Sequence, residues 1–164
     1  MAHEASSIQR VLKEWLSDAD KVVVTGIGNP LRMDDFVGLK IVQDLQGKVS
    51  DQVYLIESET VPENFIEKII RYHPSHILLI DAALLGLKPG KMRIIKPKSL
   101  EMFPAFSTHA LPLRIFCEYL SKTTEAKTAL LLVEPKEVDF GEGLTNEVQA
   151  SAQTIVDVLL KALP

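Results

Sequence analysis

A chain of 164 residues with 46% apolar content is long enough for a full hydrophobic core and too apolar for a disordered tail. Its 18 basic and 22 acidic residues leave a net charge of −4, which argues against a nucleic-acid partner and against a polybasic membrane anchor. A single cysteine, Cys117, excludes an internal disulfide and any CxxC pair, and suits a reducing compartment.

In chain order, Ile8, Val11, Leu12, Trp15 and Leu16 recur at helical spacing and predict an amphipathic N-terminal helix. Residues 1–20 read as a helical extension of one domain spanning 1–164. The same segment carries His3, Glu4, Lys13, Glu14, Asp18 and Asp20, so it lacks a signal peptide's apolar core. No apolar run reaches the length of a membrane span, and a cytoplasmic protein without membrane insertion is expected. Val22–Val24 is a continuous apolar run, the pattern of a parallel strand covered on both faces. Phe36, Val37, Leu39, Ile41, Val42 and Leu45 predict a helix ending near Gly47. Val53–Ile56 predicts a second strand, stopped at Glu57-Ser58-Glu59-Thr60, and Pro62 opens a helix that ends before Pro74.

Ile77–Ile80 predicts a third buried strand closed by Asp81, and Leu87-Lys88-Pro89-Gly90 a turn. Met92–Ile95 predicts a fourth strand. Its connection to the third is too short for a parallel crossover, so those two strands are expected to pair antiparallel. A looser segment, Ser99–Thr108, leads to His109 and a helix carrying Leu111, Leu113, Ile115, Phe116, Tyr119 and Leu120. Ala129–Val133 predicts the fifth strand, and Thr145–Leu163 the last helix. Strands alternating with helices from end to end predict the α/β class: a three-layer sandwich around a mostly parallel, twisted five-stranded sheet with one antiparallel strand, helices on both faces.

The stretch from Lys21 to Gly38 holds the chemistry: an apolar strand, a glycine-bearing turn through Gly26 and Gly28, then Asp34 and Asp35. Ligands of open α/β sheets bind at the carboxyl ends of strands. Asp35, Asp81 and His109 all follow strands or return toward that edge, and two carboxylates with one imidazole make a first coordination shell for a divalent transition metal with positions left open. Each residue also has a plain reading: Asp81 as a turn cap, Asp34 and Asp35 as first-turn acids on a helix dipole, His109 as a satisfied histidine. His73 and His76 flank Pro74 and read as surface residues, Cys117 as core, Arg32 and Lys40 as solvated. There is no GxSxG elbow, HExxH helix or GxxxxGK[ST] phosphate loop. The rival is a dinucleotide site built on Gly26-Ile27-Gly28 with Glu57 at the ribose, although Leu31 occupies the third glycine position and Pro30 interrupts the turn.

These residues together resemble the nickel–iron hydrogenase maturation endopeptidases, of the type serving hydrogenase 3 of formate hydrogenlyase. The similarity runs from Lys21 onward through Gly26–Gly38, Val61-Pro62-Glu63-Asn64, Leu78–Ala82, Gly86–Ile95, Ser107–Leu113 and Glu134-Pro135-Lys136. The chain departs from the family pattern at Glu57-Ser58-Glu59, where many relatives carry an Asp-Gly-Gly turn. The resemblance implies an endopeptidase of aspartic-type or metal-dependent character. It would clip a C-terminal extension from the nickel-loaded precursor of a hydrogenase large subunit, with nickel carried by the substrate as the recognition motif. By motif, Asp35, Asp81 and His109 become the metal-contacting and catalytic residues, while Gly28, Asn29, Asp34, Glu57 and Thr108 face the substrate. A monomer is expected. A non-cleaving nickel chaperone is the other alternative.

Overall fold

The computed structural model describes residues 2–102 and 110–164. The chain runs α1 (Ala2–Trp15), β1 (Val22–Ile27), a 3₁₀ turn (Met33–Phe36), α2 (Val37–Leu45), β2 (Val53–Glu59), a 3₁₀ turn (Pro62–Phe65) and α3 (Ile66–Tyr72). It continues through β3 (His76–Ala82), β4 (Met92–Ile95), a 3₁₀ segment (Pro97–Met102), α4 (Ala110–Thr123), β5 (Lys127–Val133) and α5 (Asn146–Ala162). The strands form one sheet in the order β2-β1-β3-β5-β4, parallel except for β4. The expected architecture is the one observed. None of its helices is long and apolar enough to cross a membrane, among the described residues.

The continuous apolar runs are split between two cores by the period-two pleat. Val22, Val24, Leu78, Ile80, Leu131 and Val133 point to a core with Ile8 and Leu12 of α1, Ile41 and Leu45 of α2, and Ile155 and Leu159 of α5. Val23, Ile77, Leu79, Leu130 and Leu132 point to the opposite core with Ile69 of α3 and Phe116, Cys117 and Leu120 of α4. Each fully buried aliphatic side chain here contributes roughly 1.5–3 kcal/mol relative to exposure. Cys117 is buried, as the helical pattern predicted.

Two expectations are corrected. The antiparallel partner of β4 is β5, with Met92 opposite Val133 and Ile95 opposite Leu130, not β3. The chain leaves β3, crosses the place that β5 later fills, and returns as the outer edge strand. A short connection set the direction of β4 correctly, but the neighbour was decided by a strand more than 30 residues further along. His76 is the other correction. It lies on β3, 1% exposed, because Trp15 at the end of α1 and Asp18 in the turn after it cover the ring. Its ring stands edge-on to Trp15 at 4.9 Å, its Nδ1 lies 2.8 Å from Ser75 Oγ, and its Nε2 lies 3.2 Å from Asp18 Oδ1. His73, by contrast, is exposed and closes α3 at φ +54°.

The strand order reverses direction at β1. The chain goes outward from β1 to β2, then comes back to the other side as β3. The crevice between the carboxyl ends of β1 and β3 is therefore the topological switch point, where open α/β sheets bind ligands.

Candidate active site

The turn leaving β1 is built from absent side chains. A Cβ on Gly28, at φ +148°, would overlap the carbonyl oxygen of Asp35. A Cβ on Gly26 would overlap the carbonyl of Gly38, and one on Gly38 would overlap the carbonyls of Ile27 and Ile80. Only glycine permits these approaches. Together they press the start of α2 against both β1 and β3. The 3₁₀ turn Met33–Phe36 is held directly over the switch point, and it packs on β3.

Asn29 shapes the loop that precedes it. Its Oδ1 accepts the amide of Leu31 at 2.9 Å, and its own amide donates to Asp35 Oδ2 at 2.9 Å. Asp35 is half-buried, and no donor meets its Oδ1 among the described residues. One carboxylate oxygen is thus locked in place while the other stays open to a ligand.

Asp34, grouped by the sequence with the substrate-facing residues, is wholly buried. Its Oδ2 accepts the amides of Lys136 (2.9 Å) and Glu137 (3.0 Å) and the Thr145 hydroxyl (2.7 Å), and its Oδ1 accepts the Thr145 amide (2.8 Å). Such charge-assisted bonds are the stronger kind. Asp34 holds the 136–145 loop against the site from inside.

Asp81 lies within β3, one residue earlier than its end, and is 1% exposed. Its Oδ1 accepts the amide of Ala82, the last residue of the strand, at 2.8 Å. Beside it, Glu134 follows β5 directly and is 4% exposed. Its Oε1 takes the amides of Leu85 (2.7 Å) and Leu87 (2.9 Å), and its carbonyl takes Gly90 N–H (2.8 Å), so it fastens the loop that leaves β3. Sequence reasoning quoted Glu134 within a motif but gave it no task. The signal was available: an acid directly after a buried strand, the same pattern that singled out Asp81.

Glu57 sits on β2, exposed, and its Oε1 accepts Gln43 Nε2 at 2.8 Å. The neighbouring Ser58 is buried and donates to the carbonyl of Gly26 at 3.1 Å, while the carbonyl of Glu59 accepts the amide of Gly28 at 2.8 Å. The Glu57-Ser58-Glu59 segment therefore braces the glycine turn through Ser58 and the backbone of Glu59. Arg32 is exposed but engaged, its Nε donating to the Val138 carbonyl at 3.0 Å, and Lys40 pairs with Asp44 at 2.6 Å. His109 and Thr108 lie outside the described residues. Among the described residues no group of three or more His, Cys, Asp or Glu is placed to hold a metal ion.

The chain is similar in sequence and fold to known proteins. Residues 39–162 match the family model described as HycI, hydrogenase maturation protease. A candidate hydrogenase maturation protease of Methanocaldococcus jannaschii is 34% identical, with 95% of this chain and 96% of that protein aligned. The hydrogenase 3 maturation protease of Escherichia coli K12 is 27% identical over 81% of this chain and 85% of its own length. Among solved structures, the HycI maturation protease of Thermococcus kodakarensis superposes with a TM-score of 0.85 at 28% identity, covering 93% of this chain and 98% of that one. The maturating endopeptidase HybD of E. coli superposes with a TM-score of 0.75 at 26% identity, covering 87% and 91%.

Proposed function

The chain belongs to the hydrogenase maturation protease family, and from that premise we propose that it removes a C-terminal extension from the nickel-loaded precursor of a hydrogenase large subunit. The observation that carries this reading is the meeting of two carboxylate-bearing segments at one switch point. Asp35 is held there by the Asn29 amide with one oxygen open, and Asp81 reaches the same edge from β3.

Carboxylate oxygens and an imidazole suit a divalent transition ion. In the proposal, Asp35, Asp81 and His109 complete the coordination of nickel that arrives inside the precursor. The ion is then part of the substrate, and its Lewis acidity is available at the scissile carbonyl. The chain's own residues orient the peptide: a fixed Asp35 and a buried Asp81 turn a bimolecular encounter into an aligned one. Hydrolysis adds the hydroxyl of water to the carbonyl carbon, breaks the C–N bond and leaves the proton on the new amine. The partner is the precursor, met by a monomer.

The dinucleotide alternative loses ground on a specific contact. The space beside Gly28, where a pyrophosphate would approach the backbone, is filled by the Asp35 carbonyl oxygen, a hydrogen-bond acceptor that disfavours an anion. The test is mass spectrometry of the precursor after incubation with the enzyme, nickel-loaded against nickel-free. Loss of the extension only from the loaded form is expected. An unchanged precursor mass in both would leave the non-cleaving chaperone standing.

A further inference from the structure

Beside the cleft, two apolar side chains stand uncovered on a backbone that is tied down. Phe140 is 87% exposed and Leu31 is 47% exposed. A lone exposed leucine is ordinary, but a phenylalanine left this open on a restrained loop is not. The two are joined through their backbones. The Gly141 amide donates to the Leu31 carbonyl at 2.8 Å, the Met33 amide to the Gly141 carbonyl at 3.1 Å, and Arg32 Nε to the Val138 carbonyl at 3.0 Å. Asp34 anchors the same loop at residues 136, 137 and 145. The loop is pre-organised, which lowers the entropy lost when such a residue is buried by a partner.

We propose that Leu31 and Phe140 form an exosite that docks the folded body of the precursor beside its C-terminal extension. The inference rests on the cleavage reading above. Continuity points to that occupant: Leu31 and Asp35 belong to one loop, so a peptide lying across Asp35 brings its parent protein over Leu31 and Phe140. Charge defines the surface that fits. Exposed Glu137, Asp139 and Glu142 bracket Phe140, so the matching feature is an apolar socket with basic side chains at its margin. Area separates this from self-association. The two side chains together expose apolar area on the order of 300 Å², far below the roughly 1,200 Å² that a stable interface between two copies buries. A contact of that size suits a substrate that is held mainly at the cleft and then released.

The experiment is steady-state cleavage of the nickel-loaded precursor by wild type, Phe140→Ser, Phe140→Leu and the double variant Leu31→Ser/Phe140→Ser. Phe140→Ser is expected to raise KM about tenfold with kcat changed less than about twofold, because an interaction made equally before and during the reaction appears in KM alone. Phe140→Leu is expected to restore most of the loss, and the thermal midpoints of all variants are expected to match wild type. An unchanged KM in the double variant overturns the exosite. So does sedimentation of wild type as a dimer that Phe140→Ser converts to a monomer. If wild type leaves the precursor uncut, the cleavage reading fails separately, and the exosite is then judged by capture of uncut precursor: equal binding by wild type and Phe140→Ser overturns it.

Discussion

Asp34 and Thr145 are 111 residues apart in sequence, yet the Thr145 amide lies 2.8 Å from Asp34 Oδ1 and its hydroxyl 2.7 Å from Oδ2. The next residue, Asp35, turns the other way and meets the Asn29 amide. Successive side chains of a 3₁₀ turn diverge by about 120°. Two adjacent acids of the same type thereby meet different partners, Asp34 bound inward to the 136–145 loop and Asp35 to the turn that leaves β1.

Replacing the buried Asp34 with alanine removes the acceptor of the part-buried donors of Lys136, Glu137 and Thr145. A loss of roughly 3 kcal/mol in unfolding free energy is expected. Asp34→Asn, which keeps the shape but turns an amide N–H₂ toward donors, is expected to lose about 2 kcal/mol. Urea unfolding measures both, and a loss below about 0.5 kcal/mol for the alanine variant would mean the loop is held by other contacts.

Asp35→Ala, Asp81→Ala and His109→Ala are each expected to slow cleavage of the nickel-loaded precursor by about 10²-fold or more. Asp35 is half-buried and its carboxylate has a single hydrogen bond among the described residues, so its variant should melt close to wild type, which separates lost chemistry from lost fold. Full turnover by all three variants would remove them from the reaction.

Gly28 and Gly47 both sit at positive φ, +148° and +76°, but only Gly28 has a neighbour where a Cβ would go. Gly47→Ala is expected to lose about 1 kcal/mol, the backbone term alone. Gly28→Ala is expected to lose about 3 kcal/mol or more, and to impair cleavage by displacing Asp35. Thermal unfolding of the pair measures the contrast. Equal losses would show that the Asp35 carbonyl yields easily.

The Cys117 thiol is pushed up to about 12 by burial first and by the Glu118 charge second, against an ordinary value of 9.0. In the unfolded chain it ionises near that ordinary value, while in the folded chain it keeps its proton. Its contribution is therefore complete below pH 9 and is lost as pH rises toward 12. Across that window the stability difference between wild type and Cys117→Ala is expected to shrink by up to about 1.4 kcal/mol per pH unit. Chemical denaturation at stepped pH measures it. A constant difference would mean that the folded thiol titrates like a free one.

Much of the architecture was legible because it is written in local patterns. Val22–Val24, Ile77–Ile80 and Ala129–Val133 are unbroken apolar runs, and only strands covered on both faces tolerate them. Asp81 stood out because an acid directly after such a run falls at the sheet's carboxyl edge, and Asp35 because it lies on the connection leaving the first run. His76 and Glu134 were misjudged or passed over for the converse reason. A histidine beside a proline reads as surface until Trp15 and Asp18, some sixty residues earlier, arrive to cover it.

Periodicity and the order of apolar runs were enough for the α/β class, the two-faced core and the position of the acidic turn, since these depend on residues near one another in the chain. The division of labour between Asp34 and Asp35, the neighbour of β4, the burial of His76 and the tied loop under Phe140 belong to the tertiary structure. Each depends on a partner 30 to 111 residues away. A carboxylate's role is set by which donors surround it, and no local pattern records donors that only folding brings near.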